Sequence, residues 1–109
     1  MNSRYSKLIA VVPTYNERAT INVLVRAFFK ILPKASMLVV DDNSPDKTTE
    51  EVARLKKKFP RLDFLLRRNK RGFGRSYIDA LKKITHDNRY ETIVMMDADF
   101  SHDPREIPK

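Results

Sequence analysis

The chain has 109 residues, with 22 lysines and arginines against 14 acids and a formal net charge of +8. This length fits one small domain, and the absence of cysteine excludes disulfides, thiol catalysis and cysteine-ligated zinc. No apolar run approaches the roughly 20 residues of a membrane span. The basic balance indicates a polyanionic partner, but residues 54–75 alone hold ten of the basic residues and one acid, so the remainder is nearly neutral.

The chain opens with a predicted strand and helix. Residues 7–13 are apolar and rich in β-branched side chains, which predicts a buried parallel strand ended by Pro13. Residues 19–32 repeat apolar side chains every three or four positions, which predicts a helix with one apolar face that Pro33 stops.

A second strand and helix follow. Residues 37–40 are apolar and are followed at once by the turn-forming residues 41–46. A second helix is expected to start at Thr48 or Thr49 and to be broken by Pro60. Its expected inward face consists of Val52, Leu55 and Phe59.

The second half repeats this alternation. Residues 63–66 predict a third strand, residues 67–74 a basic loop containing both glycines, and residues 75–85 a third helix. The expected inward face of this helix consists of Tyr77, Ile78, Leu81 and Ile84. Residues 92–96 predict a fourth buried strand, and residues 103–106 resemble a helix start. The βαβαβαβ order predicts an α/β fold with a parallel sheet and helices on both faces.

Polar clusters follow the predicted strands. They occupy residues 14–17, 41–42, 67–74 and 97–99. In parallel sheets the ligand crevice lies at the carboxyl ends of the strands, where the strand order switches. Four clusters in that place indicate a nucleotide-type site assembled from successive loops.

Asp97 and Asp99 form the sharpest of these clusters. Residues two apart in extended backbone project to the same side, and two adjacent carboxylates favour a cation between them. Such hard oxygen ligands suit Mg²⁺ or Mn²⁺, with the phosphates of a substrate completing the shell. Spacing alone leaves open a second interpretation, in which both acids close a turn and cap the next helix.

The other clusters each have a functional and a structural interpretation. Asp41 and Asp42 could accept hydrogen bonds from a ribose or a base, or they could close an Asx turn. Tyr15 could stack on a base or pack on its own domain. The glycines at 72 and 74 satisfy neither the dinucleotide fingerprint nor the P-loop pattern. They leave a basic turn at a helix N-terminus, which could receive an anion or simply connect strand to helix.

Taken together, four segments resemble the family 2 glycosyltransferases, and most of all their dolichyl-phosphate (polyprenyl-phosphate) mannosyltransferase-like branch. The segments are residues 11–18 (VVPTYNER), 39–46 (VVDDNSPD), 70–74 (KRGFG) and 94–102 (VMMDADFSH). The resemblance runs from about residue 8 to residue 109. It implies a GT-A (Rossmann-like) fold, a nucleotide-sugar donor and inversion at the anomeric carbon. Phe73, Arg75 and Ala80 depart from the usual pattern of the branch.

The resemblance also implies a role for each matching residue. The residues that would line the nucleoside pocket are Pro13, Tyr15 and Glu17. The residues that would contact the base are Val40 and Asp42, while Ala98 would pack beside the nucleotide. The catalytic aspartates that would hold Mg²⁺ or Mn²⁺ are Asp97 and Asp99, with Ser101 as a further ligand.

The branch transfers mannose from GDP-mannose to a polyprenyl (dolichyl) phosphate. The resemblance therefore implies a cytoplasmic enzyme peripheral to the cytosolic face of a membrane, with no nucleic acid as partner. The basic loop, through Arg67, Arg68, Lys70 and Arg71, would attract phosphate of the donor or of the lipid. Two alternatives stay open: transfer from UDP-glucose to a lipid phosphate, and a non-enzymatic module that binds anions or nucleic acid.

Members of this family continue well beyond the Asp-x-Asp segment. We therefore expect residues 1–109 to form the N-terminal, nucleotide-sugar-binding part of a domain truncated after that strand, with a second chain as one source of the rest. Activity of such a part by itself is not implied. A sheet order of 3-2-1-4 would leave the fourth strand at an edge with its apolar faces partly uncovered.

Overall fold

A computed structural model describes residues 6–41, 47–66, 73–87 and 90–97. Strands and helices alternate along these residues, which confirms the predicted α/β class and the order of the elements. The elements are β1 (Leu8–Thr14), α1 (Arg18–Ile31), β2 (Ser36–Asp41), α2 (Thr48–Lys56), β3 (Leu62–Leu66), α3 (Phe73–Asp87) and β4 (Thr92–Met95). None of the helices within these ranges is long and apolar enough to cross a membrane.

The four strands form one parallel sheet in the order β3-β2-β1-β4, as expected. Helices α1 and α2 pack on one face, over a core that includes Val12, Leu24 and Phe28. Helix α3 packs on the other face, where Ala80 and Ile84 contact the second core cluster. All seven residues of β1 are buried, because this strand is central and both its faces are covered.

Strand β1 continues through Pro13 to Thr14, so the prediction that Pro13 ends it was wrong. Parallel strands direct alternate residues to alternate neighbours. The carbonyl of Val11 accepts from the Met96 N–H at 3.0 Å, so Val11 and Pro13 both face β4. The described pairing with β4 stops at Val11↔Met95. Pro13 therefore lies past the last pair, where its missing N–H removes no ladder hydrogen bond.

Of the two helices on the first face, one ends beside a proline and the other ends before its proline is reached. Helix α1 stops at Ile31, with Leu32 as its C-cap and Pro33 next, as predicted. Helix α2 stops at Lys56, four residues before Pro60, so Pro60 does not break it. Phe59, expected on the helix, lies beyond its end, where its ring stacks on Phe29 at 5.3 Å between centroids.

Helix α3 is longer than predicted, and its predicted inward face is confirmed at Ile84 but not at Ile78. It begins at Phe73, so Gly74 belongs to its first turn and not to the preceding loop. Its buried residues are Ala80 and Ile84, while Ile78, expected to face inward, is 46% exposed. The described side chains of this helix start at residue 78, so the expectation for Tyr77 lies outside them.

Strand β4 forms an edge in the described part of the sheet, and its prediction as a buried strand was wrong. Ile93 is 36% and Met95 is 44% exposed. The strand pairs on one side with β1, and the described residues place no strand on its other side. The expectation of an apolar edge in a 3-2-1-4 sheet is thereby confirmed.

Candidate functional site

The order in which successive strands are added to the sheet reverses between β1 and β4, which makes this position a topological switch point. Helix α1 leaves β1 over one face of the sheet, whereas α3 leads to β4 over the opposite face. The carboxyl ends of these two strands are neighbours, and α/β sheets form their ligand crevice at such a switch point. The hydrogen bond from the Met96 N–H to Val11 extends the ladder by one residue. Asp97, next in the chain and half-buried, therefore lies at the same edge as the end of β1.

The loop after β1 is folded back by a hydrogen bond within the loop and by one left-handed residue. The Tyr15 N–H donates to Glu17 Oε1 at 3.2 Å, and Asn16 between them has φ 56°. Asparagine tolerates this left-handed conformation better than most residues. The Glu17 carbonyl then accepts from the Ile21 N–H at 2.8 Å and begins α1. Tyr15 and Glu17 are both half-buried, in the loop at the carboxyl end of β1.

Asp41 is the last residue of β2, and it is 1% exposed, so the expectation that it lies in the following turn was wrong. The Thr14 hydroxyl donates to its Oδ1 at 2.7 Å, and the Thr49 hydroxyl donates to its Oδ2 at 2.8 Å. Hydroxyl donors on both oxygens make burial of this carboxylate tolerable. Asp41 therefore joins β1, β2 and α2, and is not turned toward a ligand.

Glu51 is a second buried acid, 4% exposed, on the face that carries α1 and α2. Its carboxylate accepts hydrogen bonds from the Asn22 amide and the Arg54 guanidinium, and the Arg18 Nε lies at 3.9 Å. These partners compensate a charge that would otherwise be costly to bury. A cleft of about 640 Å³ lies above this cluster and reaches Glu17 at its other end.

Asp97 fits the expected divalent ion in chemistry, because a half-buried carboxylate at a strand end offers the hard oxygen that Mg²⁺ and Mn²⁺ prefer. Within the described ranges no three His, Asp or Glu side chains cluster to form a complete site. The expected partners of Asp97, which are Asp99 and Ser101, lie outside the described residues, as do Asp42 and Ala98.

Two of the expected donor-binding residues lie inside the protein. Pro13 is buried in β1 and is level with Val40 in β2. Val40 has 0% exposure and packs in the core layer beside α3. Both side chains therefore belong to the packed interior of the described structure.

The fold divides the basic segment 54–75. Helix α2 runs from the carboxyl edge of the sheet to the amino edge, where the Lys56 ammonium donates to the Leu62 carbonyl at 2.8 Å. Lys57, Lys58 and Arg61 are exposed at that amino edge, away from the crevice. A separate cavity of about 310 Å³, lined partly by Lys56 and Arg61, also lies there. The basic loop residues Arg67, Arg68, Lys70 and Arg71 lie outside the described residues.

Sequence reasoning missed the network formed by Thr14, Asp41, Thr48 and Thr49. The Thr48 hydroxyl accepts a hydrogen bond from the Glu17 N–H at 3.1 Å, beside the Thr49–Asp41 contact. The signal was present in part, because two adjacent threonines at a helix start can each supply a hydroxyl. Their partners are 31 and 8 residues away in the chain, so only the fold identifies them.

Comparison with known proteins gives this site a family. The model of glycosyl transferase family 2 matches residues 9–109. An undecaprenyl-phosphate mannosyltransferase from Micrococcus luteus is 32% identical over 103 residues, which are 94% of this chain and 42% of that protein. A dolichol-phosphate mannosyltransferase from Pyrococcus furiosus is 34% identical over 105 residues, which are 94% of this chain and 28% of that protein.

A solved structure supports the same assignment. A mannosyltransferase from Pyrobaculum calidifontis, in complex with GDP-mannose and Mn²⁺, superposes with a TM-score of 0.71 at 27% identity. The match covers 85% of this chain and 27% of that one. The parallel sheet and its helices are thus those of a GT-A fold. With a family model that spans nearly the whole sequence, this chain belongs to the family 2 glycosyltransferases.

Proposed function

We propose that this chain supplies the nucleotide-sugar donor site of an inverting, metal-dependent transfer of mannose from GDP-mannose to a polyprenyl phosphate. The observation that carries the proposal is the switch point itself. It sets Asp97 at the same sheet edge as the loop of Tyr15 and Glu17, in a chain similar to a GDP-mannose-bound mannosyltransferase. A sugar nucleotide needs both a base pocket and a place for its diphosphate.

The chain matches only part of the length of each relative. The chain spans 42% and 28% of the two relatives' lengths, so we assign residues 1–109 to the donor-binding, N-terminal part of a glycosyltransferase domain. In each of these relatives, the part that this chain does not match belongs to the same polypeptide. The comparisons therefore give no support to a separate second chain.

In this proposal each expected residue has a defined task. Tyr15 and Glu17 line the nucleoside pocket beside the buried Pro13, and Asp42 receives the N–H edge of the base next to the buried Val40. Ala98 packs beside the nucleotide. Asp97 and Asp99, with Ser101, would hold Mg²⁺ or Mn²⁺. An ion bound there supplies positive charge against the departing diphosphate.

The transfer needs little from the protein beyond position and charge. An oxygen of the lipid phosphate attacks the anomeric carbon of mannose from the side opposite the GDP. The new carbon–oxygen bond forms as the bond to the diphosphate breaks, and GDP leaves with the electron pair. The acceptor phosphate is already an anion near neutral pH, so no strong general base is required. Because the acceptor is a membrane lipid, we place the reaction at the cytosolic face of a membrane.

Calorimetry with GDP and GDP-mannose, with and without Mn²⁺, tests the donor site. We expect Mn²⁺-dependent binding that is lost in Asp97→Asn and in Asp99→Ala, because each change removes a carboxylate from the proposed metal site. Asp63→Asn is the matched control, since Asp63 is an exposed carboxylate near the opposite end of the sheet. That variant should bind GDP like the wild type.

The same titrations separate the alternatives. Tighter binding of UDP-glucose than of GDP-mannose would reassign the donor. A non-enzymatic anion-binding module would instead show steep salt dependence and indifference to Mn²⁺. If no nucleotide binds under any of these conditions, the proposed donor site is wrong.

A further inference from the structure

The first turn of α2 joins the loop after β1 to the end of β2. Thr48 and Thr49 are adjacent in the chain, yet their hydroxyls contact different elements. The Thr48 Oγ1 accepts a hydrogen bond from the Glu17 N–H at 3.1 Å, and the Thr49 Oγ1 donates to Asp41 at 2.8 Å. A single helical turn therefore fixes two segments that are separate in the sequence.

The burial of two of these residues favours this one arrangement over others. Thr48 is 0% and Asp41 is 1% exposed, and the second oxygen of Asp41 accepts from the Thr14 hydroxyl. Thr49 and Glu17 are half-buried, but the Asp41 carboxylate is buried, and losing a hydroxyl donor to a buried carboxylate is costly. The network therefore favours one relative placement of β1, β2 and α2.

We propose that Thr48 and Thr49 are positioning residues of the nucleoside pocket, an inference that rests on the proposed function. Thr48 fixes the backbone of Glu17, and Thr49 fixes Asp41, which directly precedes Asp42. Neither threonine touches the nucleotide. They hold Glu17 and the end of β2 in place before the ligand arrives, which reduces the ordering that binding requires.

Replacing each threonine by valine keeps the shape and removes the hydroxyl. Thr48→Val and Thr49→Val should each weaken GDP binding about tenfold by calorimetry in the presence of Mn²⁺. Thr48→Ser and Thr49→Ser keep a hydroxyl and should restore the affinity to within about twofold of wild type. Thr85→Val is the matched control, since Thr85 is an exposed residue of α3 whose hydroxyl donates to the Leu81 carbonyl at 2.8 Å. Its affinity should not change.

Urea unfolding of each variant separates positioning from stability. A loss of stability does not change the measured Kd as long as nearly all molecules remain folded. Valine variants that are folded and bind GDP like the wild type would overturn the proposal. Serine variants that fail to restore binding would overturn it as well.

Hydrogen exchange of the Glu17 amide tests the coupling without a ligand. Thr48→Val removes the acceptor of this amide, and Thr49→Val loosens the turn that carries the acceptor without touching Glu17. Both should accelerate its exchange relative to Thr85→Val. Unchanged exchange in Thr49→Val refutes the coupling. If the wild type binds no nucleotide, the proposed function and the pocket-positioning role fail together, whereas faster exchange would still establish the coupling itself.

Discussion

Among the residues that the structure describes, two other than glycine hold positive φ angles, and both lie at turns beside the site. They are Asn16 at 56° and Lys47 at 68°. Asparagine visits this region readily, whereas a lysine there has Cβ close to the following carbonyl, at a cost of about 1–2 kcal/mol. Lys47 directly precedes Thr48, so the unfavourable conformation lies where α2 must begin if the threonine network is to form.

We expect Lys47→Gly to be tolerated better than Lys57→Gly. Both lysines are exposed and lie at opposite ends of α2, so both changes remove the same surface charge. Glycine relieves the left-handed conformation at position 47, but at position 57, where φ is −64°, it only adds backbone freedom to the unfolded chain. The free energies of unfolding in urea should differ by about 1 kcal/mol in favour of Lys47→Gly. Equal values would mean that the conformation of Lys47 carries no cost.

Buried acids were the residues hardest to place from the sequence. Residues 41–46 are typical turn formers, so the sequence predicts Asp41 in a turn with Asp42. Its partners Thr14 and Thr49 are distant in the chain, and only the parallel register of β1 and β2 brings Thr14 level with it. Asp97 was easier to place, because a strand signal directly precedes it.

At the scale of elements, two-sided burial made the central strands predictable. Strands β1 and β2 are continuous apolar runs, and their observed bounds differ from the predicted ones by one residue at each end. The buried face of helix α3 was harder to predict, because a small residue contributes to it as well as large apolar ones. It packs over β1 and β2 through Ala80, a small side chain that lets the helix approach the sheet closely.

The orientation of α3 predicts unequal costs for the same substitution at two positions. Ile84 is 4% exposed and Ile78 is 46% exposed. Ile84→Ala should lower the free energy of unfolding by about 2–4 kcal/mol, because it leaves a cavity against the sheet. Ile78→Ala should change it by no more than about 0.5 kcal/mol, as expected for a surface position. Chemical denaturation of both variants checks this, and similar losses would mean that α3 is rotated from the orientation described.

At the scale of the whole molecule, the fold determines which of the basic residues lie near the proposed site. The ten basic residues of segment 54–75 lie close together in the sequence, but strand β3 runs between Arg61 and residue 67. Lys57, Lys58 and Arg61 lie at the amino edge, whereas β3 ends at Leu66 on the carboxyl edge, directly before residues 67–72. Only the second group follows a strand end that belongs to the side of the crevice.

This separation allows two equal changes of charge to be compared. We expect Arg67→Glu, Arg68→Glu and Arg71→Glu together to weaken GDP binding about tenfold at low salt, because the cations attract the diphosphate. Lys57→Glu, Lys58→Glu and Arg61→Glu together reverse the same number of charges far from the crevice. Screening acts over about 10 Å at 0.1 M salt, so that triple variant should bind nearly as the wild type does. Calorimetry at two salt concentrations measures both. Equal weakening by the two triple variants would show that net charge, and not its placement by the fold, governs phosphate binding.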